Sequence, residues 1–472
     1  MIKKLLAVFT AKPLAIAFLL LLSIAAQAQK ITGTWYGELK IQGQSLLLIV
    51  HVQEEGNGYK AKMDIPAQGA KGLEASAVTF SDNKVGISFS SLGMEYSGVY
   101  EDDETIKGEF KQNGLVLPLD FSKSEPGSAR KSQEPKKPYP YYQEDVTFEN
   151  KNAGISLSGT LTMPAKEGKY PAIILISGSG PQNRDSELLG HKPFLVLSDF
   201  LTRAGYAVLR YDDRGVEKSQ GIFKGATMAD FATDAAAAVN FLKTHKNIDV
   251  KKIGIAGHSE GGAIGPMVAA RDKGLAFLVL MAGPGLPGDS ILLLQKKLIE
   301  KAEGIPDAVT EEGIASNRQL FAILKTQDSD EIVNTKLTAF YKEKMKGAEM
   351  PEGLNVDQEK ALQDEIAAVN EPWFRSFVKY NPAQNLRKVT CPVLAINGSK
   401  DLQVPAEANL TAIKQYINEG GNKKVTTKEL PGLNHLFQEA TTGAVSEYGK
   451  LDQTFSPTAM QAIVDWLKEN GI

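Results

Sequence analysis

Cysteine is nearly absent from this 472-residue chain and histidine is scarce, with one of the first and five of the second. A lone cysteine excludes an intramolecular disulfide framework and a thiolate-rich metal centre. It is Cys391, inside the apolar run VTCPVLAIN, where it reads as an inert core side chain. An excess of one charge is missing too. With 53 Lys and Arg against 56 Asp and Glu, the formal net charge is −3. No basic stripe stands out, which argues against nucleic acid as a partner. The apolar run from Leu14 to Leu22 is short for a membrane span, so no stable membrane anchor is expected. It follows Lys3, Lys4 and Lys12 and precedes Ala26-Gln27-Ala28. That order predicts a secretory signal peptide over 1–28, cleavage near Ala28, and a periplasmic or extracellular mature protein.

A chain this long exceeds one ordinary core. From 29 to 125 it runs as short β-rich segments (SLLLIVHV, KVGISFSS, TIKGEFKQ) punctuated by Gly, Asn and Asp turns, with no helical period between them. Such spacing predicts a small all-β sandwich or barrel, in which His51 stands alone on a strand. Residues 126–143, rich in Pro, Lys and Ser, read as a linker. From 144 to 472 strands such as AIILISG, YAVLRYD and KIGIAG alternate with helical patterns, which predicts a mostly parallel sheet with helices on both faces. Between 285 and 381 only helical patterns occur, and this block reads as a cap over the carboxyl edge of the sheet.

In KKIGIAGHSEGGAIGPMVAA, glycines surround one hydroxyl just after an apolar strand. A strand-to-helix turn with a serine cap would also use glycine. Gly257-His258-Ser259-Glu260-Gly261, however, fits G-x-S-x-G in the strand–turn–helix context where that motif carries a nucleophile. A serine hydroxyl needs a base, and the base an orienting carboxylate. Of the five histidines, His51 lies in the other domain, His191 begins a helix, His245 ends one, and His258 should point away on its tight turn. His435, in LPGLNHLF, follows the last expected strand. Asp401, in NGSKDLQVP, follows the strand before it. The chain order Ser259, Asp401, His435 is that of α/β hydrolases. Developing negative charge needs two backbone N–H donors. Glu260 at the helix start supplies one. Ser179 in LISGSGPQNRD, between Gly178 and Gly180, is the candidate for the other. No Lys-Ser or Lys-Thr follows those glycines, as a phosphate-binding loop would require.

ISGSGPQNRD, YDDRGVEKSQG, GHSEGG, NGSKDLQVP and GLNHLF together resemble the secreted bacterial α/β-hydrolase esterases that carry an N-terminal β-domain. The resemblance covers 144–472. It implies an α/β-hydrolase fold with an inserted helical cap, hydrolysis of short-chain carboxylic esters through Ser259, His435 and Asp401, and no metal or organic cofactor. Many hydrolases carry His-Gly before the oxyanion loop; Ser177-Gly178 stands there here. The YDDRG stretch is carried over as structural, with Asp213 and Arg214 paired under the site. Trp373 and Phe374, in EPWFRSF, are the candidates for the cap's substrate wall. The expected partner is a small-molecule or glycan-linked ester, and the oligomeric state is left open. Two other readings remain. One is a serine peptidase or aminopeptidase of the same fold, using cap acids such as Glu311, Glu312, Glu365 or Glu371 to hold an amine. The other is a glycan-binding protein acting through its β-domain.

Overall fold

The computed structural model describes residues 31–41, 44–56, 58–65, 70–112, 115–123, 131–345 and 358–472. The expected signal peptide, the start of the expected linker and part of the cap lie outside them. The chain divides into two compact units, Met1–Pro126 and Gly127–Ile472.

In the first unit ten strands form one antiparallel sheet. They are β1 (Gly33–Ile41), β2 (Gln44–Glu55), β3 (Gly58–Ile65), β4 (Ala70–Glu74), β5 (Ala77–Ser81), β6 (Lys84–Phe89), β7 (Met94–Asp102), β8 (Thr105–Gln112), β9 (Leu115–Pro118) and β10 (Phe121–Ser122). Their order is β4-β3-β2-β1-β10-β8-β7-β6-β5, with β9 on β8. Alternation decides which face is wet: in β6, Val85, Ile87 and Phe89 point inward and the residues between them do not. All inward side chains meet in one core around Trp35, Tyr100 and Phe121, and β3 returns beside β5, so the sheet curls rather than splitting into two layers. The β5–β6 turn is Asp82-Asn83, both at positive φ (51° and 60°), the tight hairpin geometry these residues tolerate.

The second unit holds β11 (Tyr142–Asn150), β12 (Ile155–Met163), β13 (Tyr170–Ile176), α1 (Pro193–Arg203), β14 (Ala207–Tyr211), α2 (Met228–Thr244), β15 (Ile248–His258), α3 (Glu260–Arg271) and β16 (Phe277–Met281). Five helices follow: α4 (Gly288–Ala302), α5 (Asp307–Leu324), α6 (Asp330–Met345), α7 (Gln358–Val369) and α8 (Pro372–Val378). The alternation resumes with α9 (Ala383–Leu386), β17 (Val393–Gly398), α10 (Ala406–Glu419), β18 (Val425–Leu430) and α11 (Pro457–Glu469). Strand order is β11-β12-β14-β13-β15-β16-β17-β18. The sheet is mixed. β13 to β18 run parallel, whereas β11 and β12 pair antiparallel with each other and β12 with β14. The expectation of a mostly parallel sheet overlooked this leading hairpin, because β11 alternates polar and apolar residues at the sheet's edge.

β14 and β16 are buried along their whole length because both faces of the sheet are covered. α2, α3 and α10 pack on one face, and α1 and α11 on the other. Helices α4 to α8 bury their own small core of Leu320, Phe321, Leu324, Val333, Leu337 and Ile366. From Lys131 onward the expected linker belongs to this unit. Lys131 Nζ donates to the Gly449 and Leu451 carbonyls, and the Gln133 side chain brackets the Thr454–Phe455 backbone. No helix among the described residues is long and apolar enough to cross a membrane.

Phe277 starts β16 fully buried, and its ring fills the space that the missing side chain of Gly254 leaves on β15. Phe277→Ala should destabilise the second unit by about 3–5 kcal/mol. The check is the urea midpoint of its unfolding transition.

Candidate active site

Ser259, Asp401, His435 and Ser179 each follow the carboxyl end of a strand, the edge where open α/β sheets place their sites. Ser259 joins β15 to α3 with φ 53° and ψ −117°, a backbone that costs about 1–3 kcal/mol outside glycine. Neighbouring glycines make it possible. A Cβ on Gly257 would fall 2.0 Å from the Gly261 carbonyl oxygen, and one on Gly261 would fall 2.2 Å from that of Ile176. Ser259 N–H donates to the Met281 carbonyl at 2.9 Å, tying the turn to the end of β16.

His435 lies in the loop after β18, with Nε2 3.1 Å from Ser259 Oγ and Nδ1 2.8 Å from Asp401 Oδ2. Asp401 follows β17, and its Oδ1 accepts from the backbone N–H groups of Gln403 and Val404. A carboxylate on Nδ1 keeps the proton there and leaves Nε2 free to accept from the serine hydroxyl. Both Asp401 and His435 are buried. Buried Asn434 stiffens the histidine's loop by accepting from the Leu436 and Gln438 N–H groups.

His258 does not turn away from the site. Its Nε2 donates to the His435 carbonyl at 2.8 Å, and the two rings lie 4.9 Å apart. Burial, with the neighbouring His435 adding to it, lowers its pKa to about 3, so it is neutral. No sequence signal short of the fold could have found this contact, since it joins the end of β15 to a loop 177 residues further on.

The loop after β13 crosses Ser259. A Cβ on Gly178 would lie 3.3 Å from Ser259 Cβ. Ser179 lines the cleft above Ser259, while Gly180 faces a small adjoining cavity instead. Glu260 opens α3, so its N–H is among those a helix leaves unpaired. Its side chain is buried and accepts from Trp373 Nε1 at 2.9 Å and from Ser179; burial raises its pKa.

The cleft encloses about 140 Å³. Its apolar wall is Leu188, Pro193, Phe194, Leu436 and Phe455, and no Asp or Glu lines it. Leu188 arrives on a tight hairpin, Leu188 to His191, that buried His191 fastens to Thr454 and to the Tyr448 carbonyl. Trp373 and Phe374 are not part of this wall. Trp373 stacks on Phe377 at 5.7 Å, and Phe374 faces Phe321 in the cap's own core. Both serve cap packing, because α8 turns its aromatic face onto α3 and α5.

Asp213 and Arg214 do not pair with each other. Arg214 forks onto Asp234, and the preceding Asp212 receives a second fork from Arg184. Asp213 takes bonds from Ser177 and Gln182. In the first unit His51 is not alone, since it sits between Thr34 Oγ1 at 3.1 Å and Asp64 Oδ2 at 3.2 Å. Among the described residues no group of three or more His, Cys, Asp or Glu side chains is placed to hold a metal ion.

A family profile described as X-Pro dipeptidyl-peptidase (S15 family) matches residues 153–426. The chain belongs to the X-Pro dipeptidyl-peptidase (S15) family. The matched segment includes Ser259 and Asp401 and stops before His435. Esterase EstD of Thermotoga maritima is 27% identical over 300 residues, which is 63% of this chain and 62% of that esterase. The S15-family chain therefore spans less than two thirds of that relative. A non-heme chloroperoxidase of Burkholderia pyrrocinia is 26% identical over 240 residues, 50% of this chain and 77% of the relative. Among solved structures, an α/β hydrolase from Penicillium, GrgF, aligns with 70% of this chain and 99% of its own, at 16% identity and a TM-score of 0.43.

His258 supplies a test of the site's electrostatics. Its pKa is about 3 when folded and near 6.5 in an unfolded chain, so the unfolded state binds more protons between those values. Stability is therefore lost as pH falls from 6.5 towards 3, by at most about 1.4 kcal/mol per unit. His258→Gln keeps a donor for the His435 carbonyl and should flatten that slope by about one proton. Urea unfolding of both proteins at several pH values between 7 and 4.5 measures it.

Proposed function

We propose that the protein is a serine esterase that hydrolyses short-chain carboxylic esters through an acyl-enzyme. Ser259 Oγ adds to the ester carbonyl while His435 Nε2 takes its proton, and Asp401 stabilises the imidazolium. The tetrahedral oxyanion is held by the Glu260 N–H and an amide of the Gly178–Gly180 loop. As it collapses, His435 protonates the leaving alcohol. Water then attacks the acyl-enzyme along the reverse path and releases the acid.

The observation that carries this reading is the cleft on Ser259. Its 140 Å³ is close to the roughly 150 Å³ of an apolar protein cavity that takes up benzene, so it suits an acyl group of two to four carbons. Its lining offers no carboxylate to hold the ammonium of a peptide. Membership in the S15 family favours a second reading, a peptidase cutting after X-Pro. Comparing p-nitrophenyl butyrate with an alanyl-prolyl p-nitroanilide decides between them, and faster turnover of the anilide would replace the ester reading. We also propose, from the sequence alone, that the enzyme works after export and needs no added metal.

Ser259→Ala should lower ester turnover by about 10⁴-fold or more, because the three groups act as a unit. Asp401→Asn should cost about 10⁴-fold in kcat by releasing the histidine tautomer. For the wild type, kcat/KM should fall at least about tenfold from butyrate to octanoate, the chain outgrowing the cleft. Stopped-time assays on the purified proteins report all three.

A further inference from the structure

Asp213 is a half-buried carboxyl held by neutral hydrogen-bond donors rather than by a cation. The basic residues near it are engaged elsewhere, Arg214 with Asp234 and Arg184 with Asp212. Its charged neighbours are acidic: Glu260 and Asp234 both disfavour its charge, and burial is the main reason its pKa rises to about 7. The site disfavours the charged carboxyl, and a fold that needed only a filled space would use a neutral side chain.

What the carboxylate touches is specific. Ser177 Oγ–H donates to it, at 3.0 Å from Oδ1 and 3.3 Å from Oδ2. The Gln182 N–H donates to Oδ2 at 3.0 Å, and the Asp213 N–H returns a bond to the Gln182 carbonyl at 3.1 Å. Ser177 and Gln182 bracket Gly178, Ser179, Gly180 and Pro181. Two glycines, one of them at φ 92°, leave that turn little stiffness of its own. Yet the turn passes against Ser259, and an oxyanion donor must sit within a few tenths of an ångström of its place.

We infer that Asp213 is a positioning residue that pins both ends of the oxyanion loop, so that the loop's amide is aimed before substrate arrives. This rests on the reading of Ser259 as nucleophile, but not on the class of substrate.

The test uses Asp213→Asn and Ser177→Ala in the full chain, with active sites counted by a fluorophosphonate probe. The probe's P=O occupies the oxyanion position, so its second-order labelling rate reads the loop without any substrate. Asp213→Asn should label about 100-fold more slowly, and its kcat on whichever substrate the wild type turns over should fall by the same factor, with KM within about threefold. Ser177→Ala, which loses one bond, should slow labelling about tenfold. Its modest change keeps the test open should Asp213→Asn fail to fold. Labelling of either folded variant at the wild-type rate would overturn the inference. So would a loss confined to the number of countable sites, which marks a role in folding alone. A wild type that does not label would instead bring down the nucleophile assignment and this inference with it.

Discussion

The backbone of Ser259 is held where an ordinary residue does not rest, and the carboxyl edge of the sheet is arranged around that turn. Its positive φ swings the hydroxyl clear of β15 and points α3 back beneath the sheet, so that the first helical amide stays free. The conformation persists because backbone packs on backbone at Gly257, Gly261 and Gly262, where a single methyl group on any of them would collide. The strained turn also sets the address of its partners. His435 reaches it from the loop after β18 and Asp401 stands behind His435 from the loop after β17, and each of those loops is stiffened by its own hydrogen bonds.

Charge is distributed around this turn with some economy. Asp212 and Asp234 are each matched by a forked arginine, which makes them structural ties between β14, α2 and the loop after β13. Asp401 is compensated by backbone amides and by the histidine it orients. Half-buried Asp213 and buried Glu260 are instead held by neutral donors, and both line the small cavity beside the loop that crosses the hydroxyl. Perturbed carboxyls collect at sites that do chemistry more often than in plain cores. Glu260 adds a link to the cap through Trp373, so the cap is fastened to the residue that follows Ser259.

Much of this was legible because chemistry with strict local demands leaves strict local patterns. Glycines at fixed offsets around Ser259, an acid after one strand and a histidine after the next can be read without a structure. What failed to show were contacts between distant segments. Asp213 and Arg214 are adjacent and opposite in charge, so a pair was the natural expectation, but successive residues at a strand end point to opposite sides and find different partners. The cap's aromatics misled for a related reason. EPWFRSF has the composition of a pocket wall, yet its period puts Trp373 and Phe377 on one stripe that packs against α3. The apolar lining of the cleft on Ser259, Leu188, Phe194, Leu436 and Phe455, is scattered over three loops and a helix start and has no common signature.

The most direct check is to mix the enzyme with excess p-nitrophenyl acetate, quench in acid within milliseconds, and locate the acetyl group by peptide mass. The account predicts one acetyl group per active chain on the peptide containing Ser259, absent when that residue is alanine. Acetyl on another residue of the wild type, or release of p-nitrophenol with no acyl-enzyme trapped at any time under conditions where deacylation is slowed by low pH, would contradict it.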